Sequence, residues 1–211
     1  MNGLGVFLPP ELDRHGVRRG VARSETPVRW QLSVFSGRFG EISGDEAGVG
    51  LSLVFRLVLE AQRGGEPAVW IGRRDSVFFA PDVAETGVDL AALPVIRVAD
   101  PLSAARVADH LLRSGAFGLT VIDLGAHATL PLHAQVRLVG LAKKHHTALV
   151  CLTEKEGHRP SLGSLVSLRV HAVRTQREGT RFHCEAQILK DKRRGPHWRH
   201  REIYRGPDGL C

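Results

Sequence analysis

A three-layer α/β fold, with a mostly parallel sheet covered by helices on both sides, is what the sequence predicts. Three observations carry it. Short apolar runs without alternation recur through residues 38–153, as strands buried on both faces require. Stretches of helical period separate those runs, so strand and helix alternate as in right-handed parallel crossovers. After residue 160 apolar and polar residues begin to alternate, which marks antiparallel strands extending the sheet.

Taken in order, residues 1–36 carry Arg14, Arg18, Arg19, Arg23 and Arg29 with little periodicity and read as a basic N-terminal extension. Within it, 14–30 can serve as a plain linker. The first strand, 38–42, runs into a glycine-rich turn and a helix over 50–63. There Val54, Phe55, Leu57, Val58 and Ala61 recur at three- and four-residue spacings. A strand at 67–72, a helix at 76–87 and a strand at 94–98 follow. The helix at 102–114 has the clearest ends. Asp100 or Ser103 can cap its start, Val107, Ala108, Leu111 and Leu112 form its stripe, and Gly115 suits a left-handed terminus. Next come a strand at 118–123, a helix at 131–146 and a strand at 147–153. Two alternating runs, 165–174 and 181–190, flank Arg177-Glu178-Gly179-Thr180 and predict a hairpin. The body is therefore 37–190, and 191–211 is expected as an exposed basic C-terminal tail.

The bulk composition narrows the class. With 211 residues, 43% apolar and 24% charged, the chain can bury the core of one sizeable soluble domain. No apolar run reaches the roughly 18 residues of a membrane span, and the N-terminus lacks a signal-peptide pattern. Cys151, Cys184 and Cys211 lie far apart with no Cys-x-x-Cys pair, so a reducing cytoplasm is expected. Formal charge is +7, with arginine supplying 24 of the 29 basic residues. That surplus suits nucleic acid or an acidic protein without choosing between them.

The segment Gly-Glu-Ile-Ser-Gly-Asp-Glu-Ala-Gly-Val-Gly-Leu-Ser, residues 40–52, has the strand–loop–helix context of a phosphate-binding loop. A working loop needs Gly-Lys-Ser/Thr at the helix start, so that an ammonium and a metal-bound hydroxyl meet the phosphates. Here the three positions are Val49, Gly50 and Leu51, and Gly44, Gly48, Gly50 and Leu51 outline a degenerate loop. The missing lysine contact would be worth about 1.5–3 kcal/mol. Asp123 ends the fourth strand, where it can cap the next loop.

The order of elements over about 37–195 resembles the ATPase core of the RecA recombinase. The resemblance rests on Gly37-Arg38-Phe39-Gly40-Glu41-Ile42-Ser43-Gly44 with Glu46, Ala61-Gln62-Arg63-Gly64-Gly65 and Thr86-Gly87-Val88-Asp89. Leu112-Arg113-Ser114-Gly115-Ala116 and Lys190-Asp191-Lys192 complete it. It implies a RecA-like sandwich in which Gly50 stands for the phosphate-binding lysine and Leu51 for the metal-binding hydroxyl residue. Arg74 stands for the catalytic glutamate, Glu154 for the nucleotide-sensing glutamine, and Asp123 matches the Walker B carboxylate. A cation at position 74 cannot act as a general base. The implied protein is a pseudo-ATPase without cofactor. The connections 124–130 and 155–164 are too short to build the recombinase's DNA groove.

Among shortened RecA-like proteins of bacteria, length and the basic tail make the chain look more like the ImuA group than like SulA. That resemblance implies a cytoplasmic accessory factor of SOS translesion mutagenesis. Its implied partners are RecA and an inactive Y-family polymerase homologue of the ImuB kind. A SulA-like inhibitor of cell division and a basic DNA-binding module are the alternatives. The segment with Lys190, Lys192, Arg193, Arg194, Arg199 and Arg201, interleaved with Trp198, is the candidate docking site for a partner or for weak non-specific DNA contact. The competing expectation for it is a solvated tail. Lys190 and Lys192 match lysines that act across the RecA subunit interface. The resemblance also implies that 14–30, if not a plain linker, packs on a neighbouring RecA-like protomer. His145, His146, His197 and His200 lack cysteine or carboxylate companions at ligand spacing, so no metal is expected. Ser114 and Ser164 lack a nucleophile elbow, and Trp70, Phe78 and Phe79 are expected in the core or an interface.

Overall fold

The structure is a computed structural model and describes residues 29–44, 49–74, 76, 78, 83, 86–126, 129–178, 181–196 and 198–205. After one 3-10 turn at Leu32–Val34 come β1 (Arg38–Gly44), α1 (Val49–Arg63), β2 (Ala68–Arg73) and β3 (Val95–Val98). α2 (Pro101–Ser114), β4 (Leu119–Gly125), α3 (Leu132–His145) and β5 (Ala148–Glu154) continue the alternation. β6 (Leu168–Glu178), β7 (Arg181–Asp191) and β8 (Arg199–Arg205) end it. The expected parallel strands are all present, with ends within two residues of their expected positions. The helix expected over 76–87 falls largely on 77, 79–82 and 84–85, which lie outside the described residues.

All eight strands form one sheet in the order β3-β2-β4-β5-β1-β6-β7-β8. β1 to β6 pair in parallel, and β6, β7 and β8 continue as an antiparallel meander. β1 is flanked by β5 and β6 and covered on both faces, which is why its seven positions are all buried. Gly40 allows that packing: a Cβ there would lie 2.9 Å from Phe35 Cδ1.

Two cores sit on opposite faces. On one, α1 places Leu53, Val54, Leu57 and Val58 against Ile42, Trp70, Val121 and Val150, and the same core runs on to Val170, Ala186 and Ile188. On the other, α2 and α3 place Ala108, Leu112, Leu138 and Ala142 against Phe39, Ile71, Ile122 and Cys151. Each fully buried aliphatic side chain contributes about 1.5–3 kcal/mol. α2 has the expected ends: Asp100 Oδ1 accepts Ser103 N–H at 2.8 Å, Pro101 opens the first turn, and Gly115 takes φ 66°. Asp109 joins the two helices of this layer, accepting from Arg113 of α2 and Arg137 of α3.

Two sequence expectations change. The stretch before residue 37 joins the body at Trp30, which is buried, donates to Leu53 O at 3.1 Å and meets Phe35 edge-on at 5.1 Å. Residues 199–205, expected within an exposed tail, form β8 instead. Its alternation is hidden because both faces are polar. His200, Glu202 and Tyr204 turn toward the α1 side, where His200 stacks on Trp30, Glu202 pairs with Arg56 and Tyr204 stacks on Phe182. Residues 206–211 lie outside the described residues.

Candidate functional site

The carboxyl ends of the parallel strands gather the residues of the degenerate loop. Gly44 ends β1, opposite Glu154 and Ala172, and its carbonyl accepts Lys155 N–H at 3.1 Å. Gly48 lies outside the described residues. Gly50 is buried in the first turn of α1, and a Cβ on it would lie 2.9 Å from Leu152 Cδ1 and 3.8 Å from Ile42 Cγ2. The helix therefore sits directly on β1 and β5 at this point, and a long side chain at position 50 would first have to move Leu152. Leu51 is half-buried and packs on the α1-side core. Its apolar surface is used in packing.

Asp123 on β4 is buried, and its Oδ2 has no hydrogen-bond partner among the described residues. Burial pushes the Asp123 carboxyl above its ordinary range, and the nearby Glu154 adds to the push. Ser76, Arg97 and the Gly125 N–H act the other way without reversing it. Arg97 is held by Arg73 O at 2.9 Å and Ser76 Oγ at 2.6 Å, and lies over the Phe78 ring. Arg74 is exposed just past β2. The edge thus combines the carboxyls of Asp123 and Glu154 with arginines, and neither Gly50 nor Leu51 supplies the ammonium or hydroxyl of a phosphate site. The exposed Arg74 and the hydrogen-bonded Arg97 make the described part of this edge cationic beside Asp123. Trp70 and Phe78 join Phe55 in an aromatic cluster, with Trp70 fully buried, as expected of core residues. Phe79 lies outside the described residues.

The basic segment divides into two groups at different places. Lys190, Lys192, Arg193 and Arg194 gather at the amino edge of the parallel strands. Lys190 and Lys192 both reach Ser164 O, at 3.4 and 2.7 Å, and Arg193 donates to Ser36 O at 3.1 Å. Arg199 and Arg201, by contrast, project from β8 onto the second face of the meander, where both pair with the buried Glu185 of β7. Trp198 is half-buried and donates to Asp191 Oδ2 at 3.2 Å, so its indole is an internal anchor of the turn before β8.

Asp191 organises this turn. Its carboxylate also accepts from Arg38 Nη2 at 2.6 Å and from the N–H groups of Arg193 and Arg194 at 2.8 and 3.3 Å. Burial pushes the Asp191 carboxyl up, but the Arg38 hydrogen bond and charge, with Arg193 N–H and Trp198, leave it below its ordinary range. Another buried carboxylate has no role among the sequence expectations. Glu41 of β1 pairs with Lys155, and its Oε2 accepts Leu162 N–H at 3.0 Å, which fastens the 155–167 connection over the sheet. Its signal was a charge inside an apolar run, which a buried partner must match.

The histidines considered for metal are dispersed. His145 closes α3, His146 takes a left-handed φ of 56°, and His200 lies in β8. His197 is outside the described residues, and no three potential ligands come together among the described ones. No protein-family model matches the chain, and no curated protein matches it either.

Proposed function

We propose that the chain is a non-catalytic RecA-like adaptor in SOS translesion mutagenesis, binding RecA and an inactive Y-family polymerase homologue of the ImuB kind in the bacterial cytoplasm. The observation that carries the reading is Gly50 packed against Leu152, where a nucleotide site needs a lysine. A parallel sheet ordered β3-β2-β4-β5-β1 with an antiparallel extension beyond β1 supports the RecA-like assignment. Arg74 and Leu51, where catalysis needs a glutamate and a hydroxyl, support the loss of hydrolysis.

RecA protomers stack through this fold with nucleotide between them. A protomer that docks without a triphosphate leaves the next interface incomplete, and so ends or remodels a filament. The face of β8 with Arg199, Arg201 and the 57% exposed Ile203 offers the polymerase homologue an apolar spot ringed by cations. The test is co-precipitation of the purified chain with RecA and with the polymerase homologue, alongside a calorimetric titration with ATP and magnesium. Capture of both partners with no heat from nucleotide is expected. Failure to capture either protein, or tight magnesium-dependent ATP binding, removes the proposal.

A further inference from the structure

The fold brings two basic stretches together that lie far apart in the sequence. α3 ends in Lys143-Lys144-His145-His146, and the turn after β7 carries Lys192-Arg193-Arg194. They meet around Gly37, whose φ of 63° bends the chain into β1. A Cβ at Gly37 would lie 3.8 Å from Arg193 Nη2, from the Lys143 Cα and from the His146 Cα alike. Ser36 bonds both sides, donating to His146 O at 2.9 Å and accepting from Arg193 at 3.1 Å. Lys143, Lys144, His146, Lys192, Arg193 and Arg194 are all exposed.

We infer that this amino edge is a binding surface for the phosphate backbone of a nucleic acid, read without regard to base sequence. Neither stretch contains a carboxylate, and the adjoining Asp191 is buried and taken up by Arg38 and the turn itself. Like charges are crowded here against their own repulsion. Lys190 is held below its ordinary range first by burial and then by Lys192, and Arg193 and Arg194 both act on Arg38. Glu66, whose side chain lies against Gly118, marks the border on the β4 side.

A protein partner is the weaker fit. Protein interfaces centre on aromatic or aliphatic anchors and are depleted in lysine. Among the described residues, the exposed large apolar side chains, Leu102, Leu132, Val136, Leu189 and Ile203, lie outside both stretches, and Trp198 is turned inward onto Asp191. Lysine and arginine without an apolar centre are the composition of a backbone-positioning surface. This inference is independent of the adaptor reading, because it needs neither RecA nor a polymerase homologue.

The test is fluorescence anisotropy of the full chain with labelled 30-nucleotide single strands and duplexes of two unrelated sequences, titrated with salt. K143Q/K144Q and R193Q/R194Q are compared with R106Q/R159Q, which removes two exposed charges from the opposite, carboxyl edge. Each amino-edge pair is expected to weaken binding about tenfold or more at 0.1 M salt and to make the salt slope shallower by about 1.8 on duplexes and about 1.4 on single strands, equally for both sequences. The control pair should change affinity less than about twofold. The ratio of single-strand to duplex affinity identifies the polymer. The inference is overturned if all three variants lose affinity equally, or if the unmodified protein fails to bind at 50 mM salt. It also fails if a polyglutamate peptide binds at the same edge while DNA does not compete. K143Q/K144Q alters only exposed helix-end side chains, so it stays decisive should the Arg193 variant lose structure.

Discussion

Replacing Asp191 with alanine tests whether one buried carboxylate fastens both the end of the sheet and the basic turn. Side-chain exposure is 2% for Arg38 and 0% for Asp191, so the pair is fully desolvated. Removing the anion leaves the guanidinium buried with only Ser167 and Val34 as acceptors, at a cost of about 3–5 kcal/mol. The freed N–H groups of Arg193 and Arg194 can reach water at an exposed turn and add little. Against a total stability of about 5–15 kcal/mol, the loss should be plain in urea denaturation followed by far-ultraviolet circular dichroism. The pH dependence has a fixed sign. Asp191 titrates lower when folded than when unfolded, so its contribution is present above the unfolded carboxyl value, near 4, and fades as pH falls through the folded one. The gap between wild type and D191A should therefore be constant from pH 5 to 8 and close at lower pH. D191N, which keeps an acceptor but no charge, should cost about 2 kcal/mol. The double variant R38M/D191L should recover most of the loss. A D191A cost under about 1 kcal/mol at pH 7, or one that grows on acidification, would refute the reasoning.

Gly50→Ala should destabilise by about 1 kcal/mol, since overpacking against Leu152 outweighs the gain in helix propensity. Gly140→Ala, on an exposed turn of α3 where a Cβ meets nothing within 4 Å, should stabilise by about 1 kcal/mol. Denaturant midpoints check both, and equal effects at the two glycines would contradict the close approach of α1 to β5. Asp123→Asn should raise stability at pH 7. A carboxyl raised on folding lets stability fall as pH climbs through that range, so the advantage should vanish toward pH 3; a destabilised D123N contradicts it. Burial holds the Cys184 thiol up at about 12 and the Cys151 thiol well above its ordinary value. At pH 8 a disulfide reagent should modify neither until denaturant is added, and prompt reaction at Cys151 or Cys184 would show that those strands open.

The parallel half of the sheet was readable because burial on both faces leaves long apolar runs such as 147–153, and because Asp100 and Gly115 mark helix ends chemically. β8 was not, because Arg199-His200-Arg201-Glu202 shows no apolar face. Its strand exists because Glu185 neutralises two of its arginines and Glu202 meets Arg56, partners no local window contains. The candidate site divides the same way. That position 50 lacks a lysine is plain in the sequence, whereas the reason glycine suits it is Leu152, a hundred residues on. The union of Lys143 with Arg193 was equally hidden, since it depends on how α3 and the β7 turn converge on Gly37.

Because β1 lies between β5 and β6, the first strand described belongs in the middle of the sheet but emerges early during synthesis. Its hydrogen-bonding neighbours leave the ribosome much later; the Ser36–His146 bond spans 110 residues and the Arg38–Asp191 bond 153. A nascent chain of this kind carries an unsatisfied apolar ribbon until those partners have been made. Folding should be slow for its size and sensitive to holdase chaperones at high expression.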